Sequence, residues 1–191
     1  MTVLFEIAFG IVLGFSLAGP PGPMNALIAA RSAGSFRAGF LTGLGAFTAD
    51  LLLGLIVYLL QHDLDVEAVI RYVYVLGCGV MLFFAYRLFR SRPPVDESSR
   101  GQVSAYSSAL GVGLSNPFQI LWWLTAGLAF AYIGGAVLFL GLFGAILVWI
   151  VAFPLAVQSG VRRYPRLRQY VSWVSGAVMV AFGIYFAVLA A

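Results

Sequence analysis

A set of residues recurs in this chain at an offset of 97–98 positions, and each copy opens on an apolar stretch interrupted by proline. Gly14, Leu17 and Pro20 of GFSLAGPPGP return as Gly111, Leu114 and Pro117 of GVGLSNPFQI. Gly43 and Leu44 return as Gly141 and Leu142, and Val80, Met81 and Phe84 as Val178, Met179 and Phe182. Each copy holds three long apolar segments. An odd number of crossings per copy forces the two copies into opposite orientations. The predicted fold is an all-α integral membrane protein of six transmembrane helices. They form two inverted three-helix repeats, with helices 1 and 4 broken near the midplane. Helices broken at matched positions of an inverted repeat are a mark of secondary transporters, whose site lies at the repeat interface.

Composition requires lipid as the solvent. The chain is 62% hydrophobic and 9% charged, with a mean hydropathy of +0.98. A soluble domain is roughly half apolar and about a quarter charged. One small core cannot hide this much apolar surface, which excludes an ordinary soluble enzyme. Six segments can span about 30 Å of hydrocarbon at about 1.5 Å per residue. They are placed near 3–30, 36–60, 68–90, 104–130, 133–158 and 168–190. One transmembrane domain over 1–191 is expected, with repeat 1 at about 1–90, a linker at 91–103 and repeat 2 at about 104–191. The first apolar run lacks a basic leader and continues into GPPGP, so it is expected to be a permanent helix rather than a cleaved signal. Cys78 is the single cysteine, which allows no internal disulfide and disfavours a thiol–disulfide relay.

The arginines sort by side. Arg31 and Arg37 flank the first connection, Arg87, Arg90, Arg92 and Arg100 the third, and Arg162, Arg163, Arg166 and Arg168 the fifth. The second connection has only Arg71, beside His62, Asp63, Asp65 and Glu67, and the fourth is uncharged. The positive-inside rule puts loops 31–37, 91–103 and 159–168 in the cytoplasm and both termini outside. The positive charge reports orientation; it is not a nucleic-acid surface, because no basic patch is interleaved with exposed aromatics. Tyr72, Tyr74, Tyr132, Trp149, Tyr164, Tyr170 and Trp173 are expected to anchor at the interface or pack in the core. Trp122 and Trp123 follow the second break and are open to another role. His62, Asp63, Asp65 and Glu67 match no metal-loop pattern, so a solvated turn is the expectation.

The breaks carry the candidate chemistry. Gly19, Pro20, Pro21, Gly22 and Pro23 lie inside an apolar segment, where three prolines remove donors and clash with a continuous helix. Open backbone at membrane depth is tolerated only against protein or a water-filled cavity. Pro23 suits the first turn of a new half-helix, whose N–H groups and partial positive charge suit a carboxylate. Ser115, Asn116 and Pro117 repeat the device: Asn116 or Ser115 can cap, with Pro117 in the first turn. In an inverted repeat the two positive ends meet near the midplane. The carbonyls ending the first halves then lie nearby for an ammonium or another proton-bearing group. Asn25 and Gln119 lie just past the breaks, as substrate contacts or as interhelical hydrogen bonds.

Asp50 is the only acid deep in an expected span. An ionised acid there costs roughly 2.5–3.5 kcal/mol on insertion scales, which makes it a functional candidate. It shares a stripe of small residues with Gly39, Gly43, Ala46 and Gly54, expected to pack on the broken first helix. Asp50 could receive a substrate ammonium, carry a coupling proton, or satisfy backbone N–H groups at the break.

GPPGPMNALIAARS, then GFLTGLGAFTADLLLGL, then LSNPFQILWW resemble the LysE/RhtB family of amino-acid exporters along essentially the whole chain. Pro21–Pro23 gives the family's PGP, Asp50 its acid after a Gly-rich second helix, and Asn116–Pro117 its NP. Ala49 stands where the family often has Gly, and Phe118 and Gln119 where a lysine often follows NP. The resemblance implies export of amino acids or related small metabolites by a multi-pass protein of a prokaryotic cell membrane, driven by an ion gradient, commonly protons. It implies no cofactor. The partners expected are a small-molecule substrate and the lipid bilayer, and a homo-oligomer is compatible. A cation exporter of the wider superfamily is the alternative, weakened by the lack of any cluster of Cys, His or acids in the spans. A membrane enzyme would need a nucleophile–base or metal constellation that these spans lack. A non-transporting assembly subunit would not require a costly acid beside paired breaks.

Overall fold

The computed structural model describes residues 3–60, 66–90, 99–127 and 136–190. Among these, every regular element is helical. The helices are α1 (Val3–Ala18), α2 (Pro23–Ser32), α3 (Phe36–Leu60), α4 (Val66–Arg90), α5 (Ser99–Ser115), α6 (Pro117–Trp122), α7 (Ala136–Arg163) and α8 (Leu167–Ala190). A single π-helical turn, Trp123–Gly127, continues α6.

Both proline breaks form where expected. α1 and α2 meet at 79°. Gly22 precedes α2 in an extended conformation, and Pro23 opens the helix, where a missing N–H costs nothing. Asn116 stands between α5 and α6, and Pro117 opens α6.

Three stretches, Phe36–Leu59, Val137–Arg163 and Leu167–Ala190, are each long and apolar enough to cross a membrane, and α1 with α2 qualifies as a fourth, bent span. The other two expected spans fall short of that measure among the described residues. Within α4 the described stretch Tyr74–Tyr86 is apolar but shorter than a full span. α5 is short and rich in serine and glycine, and residues 128–135 lie outside the described set.

Several boundaries also move. α2 continues through Ser32, so the expected 31–37 loop shrinks to a turn before Phe36. α5 begins at Ser99, inside the expected 91–103 linker. α7 runs on to Arg163 through Pro154, which leaves only Tyr164–Arg166 of the expected 159–168 loop. Arg162 and Arg163 in the last turn of α7 favour this extension, since cations complement the negative end of a helix.

The helices pack in crossed pairs: α1 lies chiefly on α7, α5 on α3, and α4 on α8. Small residues set the close approaches. A Cβ on Gly14 would collide with the Leu142 carbonyl oxygen, one on Gly141 with that of Ile7, and one on Gly45 with that of Tyr106. Two apolar clusters result. Leu13, Leu53, Trp123, Leu142, Ile146 and Ile150 belong to the first. Leu27, Met81, Val112, Met179 and Phe186 belong to the second. Met81 and Met179, matched positions in the two copies, are both 0% exposed within that second cluster.

Candidate functional site

The two breaks wall one cavity of about 230 Å³. Pro20, Pro21, Gly22, Pro23 and Asn25 line it from the first break, and Asn116 and Gln119 from the second. Asp50 of α3 lines it between them. Ile146 and Ile150 bring a wall from the first apolar cluster, and Phe182 packs against the second. Eight of the eleven residues expected at the site are thus brought together. Gly19, Ser115 and Pro117 are not among the lining residues. The Gly19 N–H instead donates to the Phe15 carbonyl at 2.8 Å and ends α1. The Ser115 hydroxyl donates to the Gly111 carbonyl at 2.7 Å. Pro117 is buried against Gly77 of α4, where a Cβ would meet its ring.

The breaks are satisfied differently. Asn116 Oδ1 accepts from the Phe118 N–H at 3.2 Å, so α6 is capped by its own chain, as a short polar N-cap allows. α2 has no side-chain cap, which leaves its first N–H groups, at Met24 and Asn25, beside the cavity. Asn25 serves the other side of the break. Its Nδ2 donates to the Ala18 carbonyl at 2.6 Å and the Pro20 carbonyl at 2.9 Å. Two carbonyls expected to be open to a ligand are therefore already engaged. The reason is local: Asn25 is the first amide-bearing side chain beyond the prolines, and those carbonyls lack their helical partners.

Asp50 is only 5% exposed. Trp123 Nε1 donates to its Oδ1 at 2.9 Å, and Gln119 is its second hydrogen-bonding neighbour. Gln119 Nε2 also reaches the Ala46 carbonyl at 3.5 Å. Both partners of Asp50 are neutral and come from the fourth segment, rather than from backbone N–H groups of the first break. The π-helical turn begins at Trp123, and such turns shift side chains off the regular α-helical register. Trp123 is 1% exposed, and Gly54 and Gly127 make room for its ring: a Cβ on either would approach it within 2.8 Å.

The small-residue stripe around Asp50 packs on more than the broken first helix. Gly39 does meet Ser32 of α2, but Gly43 meets Ile150 of α7 and Gly54 meets Trp123.

Sequence reasoning missed the aromatic walls. Trp149, expected as an anchor or packing residue, lines the cavity and donates from Nε1 to Asn25 Oδ1 at 3.1 Å. It stacks on Phe153 at 5.1 Å between ring centroids. Phe118 lines the cavity too, as does Trp122, which its place after the second break leaves open to another role. No alternation or spacing marks them, because an inward aromatic on a membrane helix looks like a lipid-facing one. His62, Asp63 and Asp65 lie outside the described residues.

Apolar helices, one of them sharply broken, around a small cavity define a multi-pass membrane protein. The chain belongs to the LysE type translocator family, whose model matches residues 15–190. It is similar to the "Putative amino acid efflux protein YcgF" of Bacillus subtilis (strain 168), with 32% identity over 194 residues and 92% of each chain covered. No solved structure matches it.

Proposed function

We propose that this protein is a secondary exporter of amino acids or closely related small metabolites across the cytoplasmic membrane, coupled to a proton or other ion gradient. The observation that carries the reading is the buried carboxylate of Asp50 in a cavity that both helix breaks wall. The efflux named for the Bacillus subtilis relative supports export as the direction. An amino acid presents one carboxylate and one ammonium. The uncapped start of α2 suits the first, and Asp50 suits the second or a coupling proton. The aromatic and apolar walls suit an organic substrate better than a bare cation.

In this reading the chain crosses the membrane six times as two inverted repeats, with both termini outside. The crossed packing supports it. Exchanging the copies turns the α1–α7 pair into the α5–α3 pair and returns α4–α8 to itself. Alternating access then consists of the paired halves rocking about the breaks.

Asp50→Asn tests the role of the acid. It keeps shape and most hydrogen-bonding capacity but loses negative charge and titration. If Asp50 carries the coupling proton, reconstituted Asp50→Asn binds substrate and retains exchange but loses gradient-driven accumulation. If it pairs with the ammonium, binding weakens first. Wild-type binding, exchange and accumulation together would remove Asp50 from the mechanism.

A further inference from the structure

We propose that the cavity selects amino acids with uncharged, apolar side chains. The inference rests on the exporter reading above and names its substrate class. Among the described residues, Asp50 is the one ionisable side chain that lines the cavity. One carboxylate can balance one ammonium, and every amino acid already brings an α-ammonium. A lysine or arginine side chain adds a second cation with no acid to meet it. A glutamate or aspartate side chain adds an anion beside Asp50, with no basic residue among the described lining residues.

Several polar side chains of the lining are already engaged within the protein. The Ser16 hydroxyl donates to the Leu13 carbonyl at 2.7 Å. Asn25 holds the Ala18 and Pro20 carbonyls and accepts from Trp149. Asn116 caps α6 and Gln119 reaches Ala46. A polar substrate side chain would have to displace one of these bonds or go unpartnered, and burying an unpartnered polar group is costly. The apolar surface open to a side chain includes Met24, Phe118, Ile146, the Trp149 ring and Ile150. The volume of about 230 Å³ equals about eight waters at about 30 Å³ each and lies below the roughly 300–1,000 Å³ of drug-sized sites. It fits a single amino acid.

The test is counterflow by the full-length protein in liposomes, with leucine, methionine, phenylalanine, glutamine, lysine and glutamate as alternative substrates. Thermal stabilisation of the detergent-solubilised protein by each amino acid gives a second readout. Leucine, methionine and phenylalanine should exchange with kcat/KM within about tenfold of one another, since apolar pockets separate neighbouring sizes weakly. They should exceed lysine and glutamate by about 100-fold, the scale set by placing a charge in an apolar membrane site. The apolar set alone should raise the melting temperature. Lysine, glutamate or glutamine matching leucine in exchange and stabilisation would overturn the selectivity and leave the exporter reading standing. Absence of exchange with every amino acid would overturn both.

Discussion

The bond from Trp123 Nε1 to Asp50 Oδ1, 2.9 Å long and buried, can be measured by a double-mutant cycle. Trp123→Phe removes the donor and keeps an aromatic ring. Asp50→Leu removes the acceptor and keeps a side chain of similar length. Each single change also alters packing: Trp123 stacks on Phe143 at 6.0 Å and fills the space left by Gly54 and Gly127. The cycle subtracts those terms and leaves the coupling. Interhelical hydrogen bonds between neutral groups in membrane proteins average about 0.6 kcal/mol and reach about 1.7. Bonds to a charged group contribute about 1.5–3 kcal/mol. A coupling of about 2 kcal/mol or more therefore means an ionised Asp50 in the resting protein, and one near 0.6 kcal/mol means a neutral one. Equilibrium unfolding in mixed micelles, followed by tryptophan-independent circular dichroism, supplies the four free energies. A coupling below about 0.5 kcal/mol, the range in which independent sites add, would refute the claim that Trp123 holds the carboxylate.

Three further outcomes follow from particular residues. A Cβ on Gly22 has nothing nearer than the Pro20 carbonyl oxygen at 4.0 Å, so Gly22→Leu should insert and melt like wild type while its side chain fills the cavity and stops counterflow; wild-type flux would show that the cavity is not on the transport path. Gly14→Leu should instead lose assembly, because its Cβ meets the α7 backbone, whereas Gly111→Leu, with nothing within 4 Å, should be tolerated; equal melting temperatures for the two would contradict the α1–α7 contact. Single cysteines at Ser98 and Asp63, in a Cys78→Ala background, should label from opposite sides of the membrane, and labelling from one side would refute the six-span topology.

Much of the cavity's lining was legible because proline and buried charge act locally. Pro20, Pro21 and Pro23 break a helix wherever they stand in it, and an acid in an apolar span stands out by its cost. Both signals survive without knowledge of the partners. What was not legible depends on rotation and pairing. Trp149 lies three residues from Ile146 and four from Phe153, a spacing that any lipid-facing stripe shares. Trp123 reaches Asp50 through a π-helical turn, and no local residue pattern predicts that turn. The helix ends were misplaced where polar residues continue a helix beyond the apolar stretch, as at Arg162–Arg163 and Ser99. The repeat was informative in a similarly partial way. Met81 and Met179 occupy matching buried positions, but Gly14 sits tight against a backbone while its counterpart Gly111 faces open space.

On the exporter reading proposed above, that inequality between the copies bears on how the two breaks would move a substrate one way. The second break is closed on itself: Asn116 caps α6, and Pro117 is wedged against Gly77 of α4. The first break is held by one side chain, Asn25, which joins the end of α1 to Trp149 on α7. α1 also packs on α7, so this one amide ties the broken helix to its own packing partner across the cavity wall. Two equal breaks would give two equal hinges. Here the second is fixed within its own segment and against α4, while the first depends on bonds for which the proposed substrate would compete. A carboxylate at the uncapped start of α2 would lie beside Asn25, close to the three bonds that hold the break. In the proposed exporter, substrate occupancy and the state of the first break would then be linked through Asn25. Asn25→Ala should loosen that link, lowering the rate of exchange more than the affinity for substrate, and equilibrium binding measured beside counterflow on the same preparation separates the two. An affinity loss that accounts for the whole effect would make Asn25 a binding residue rather than the tie between binding and movement.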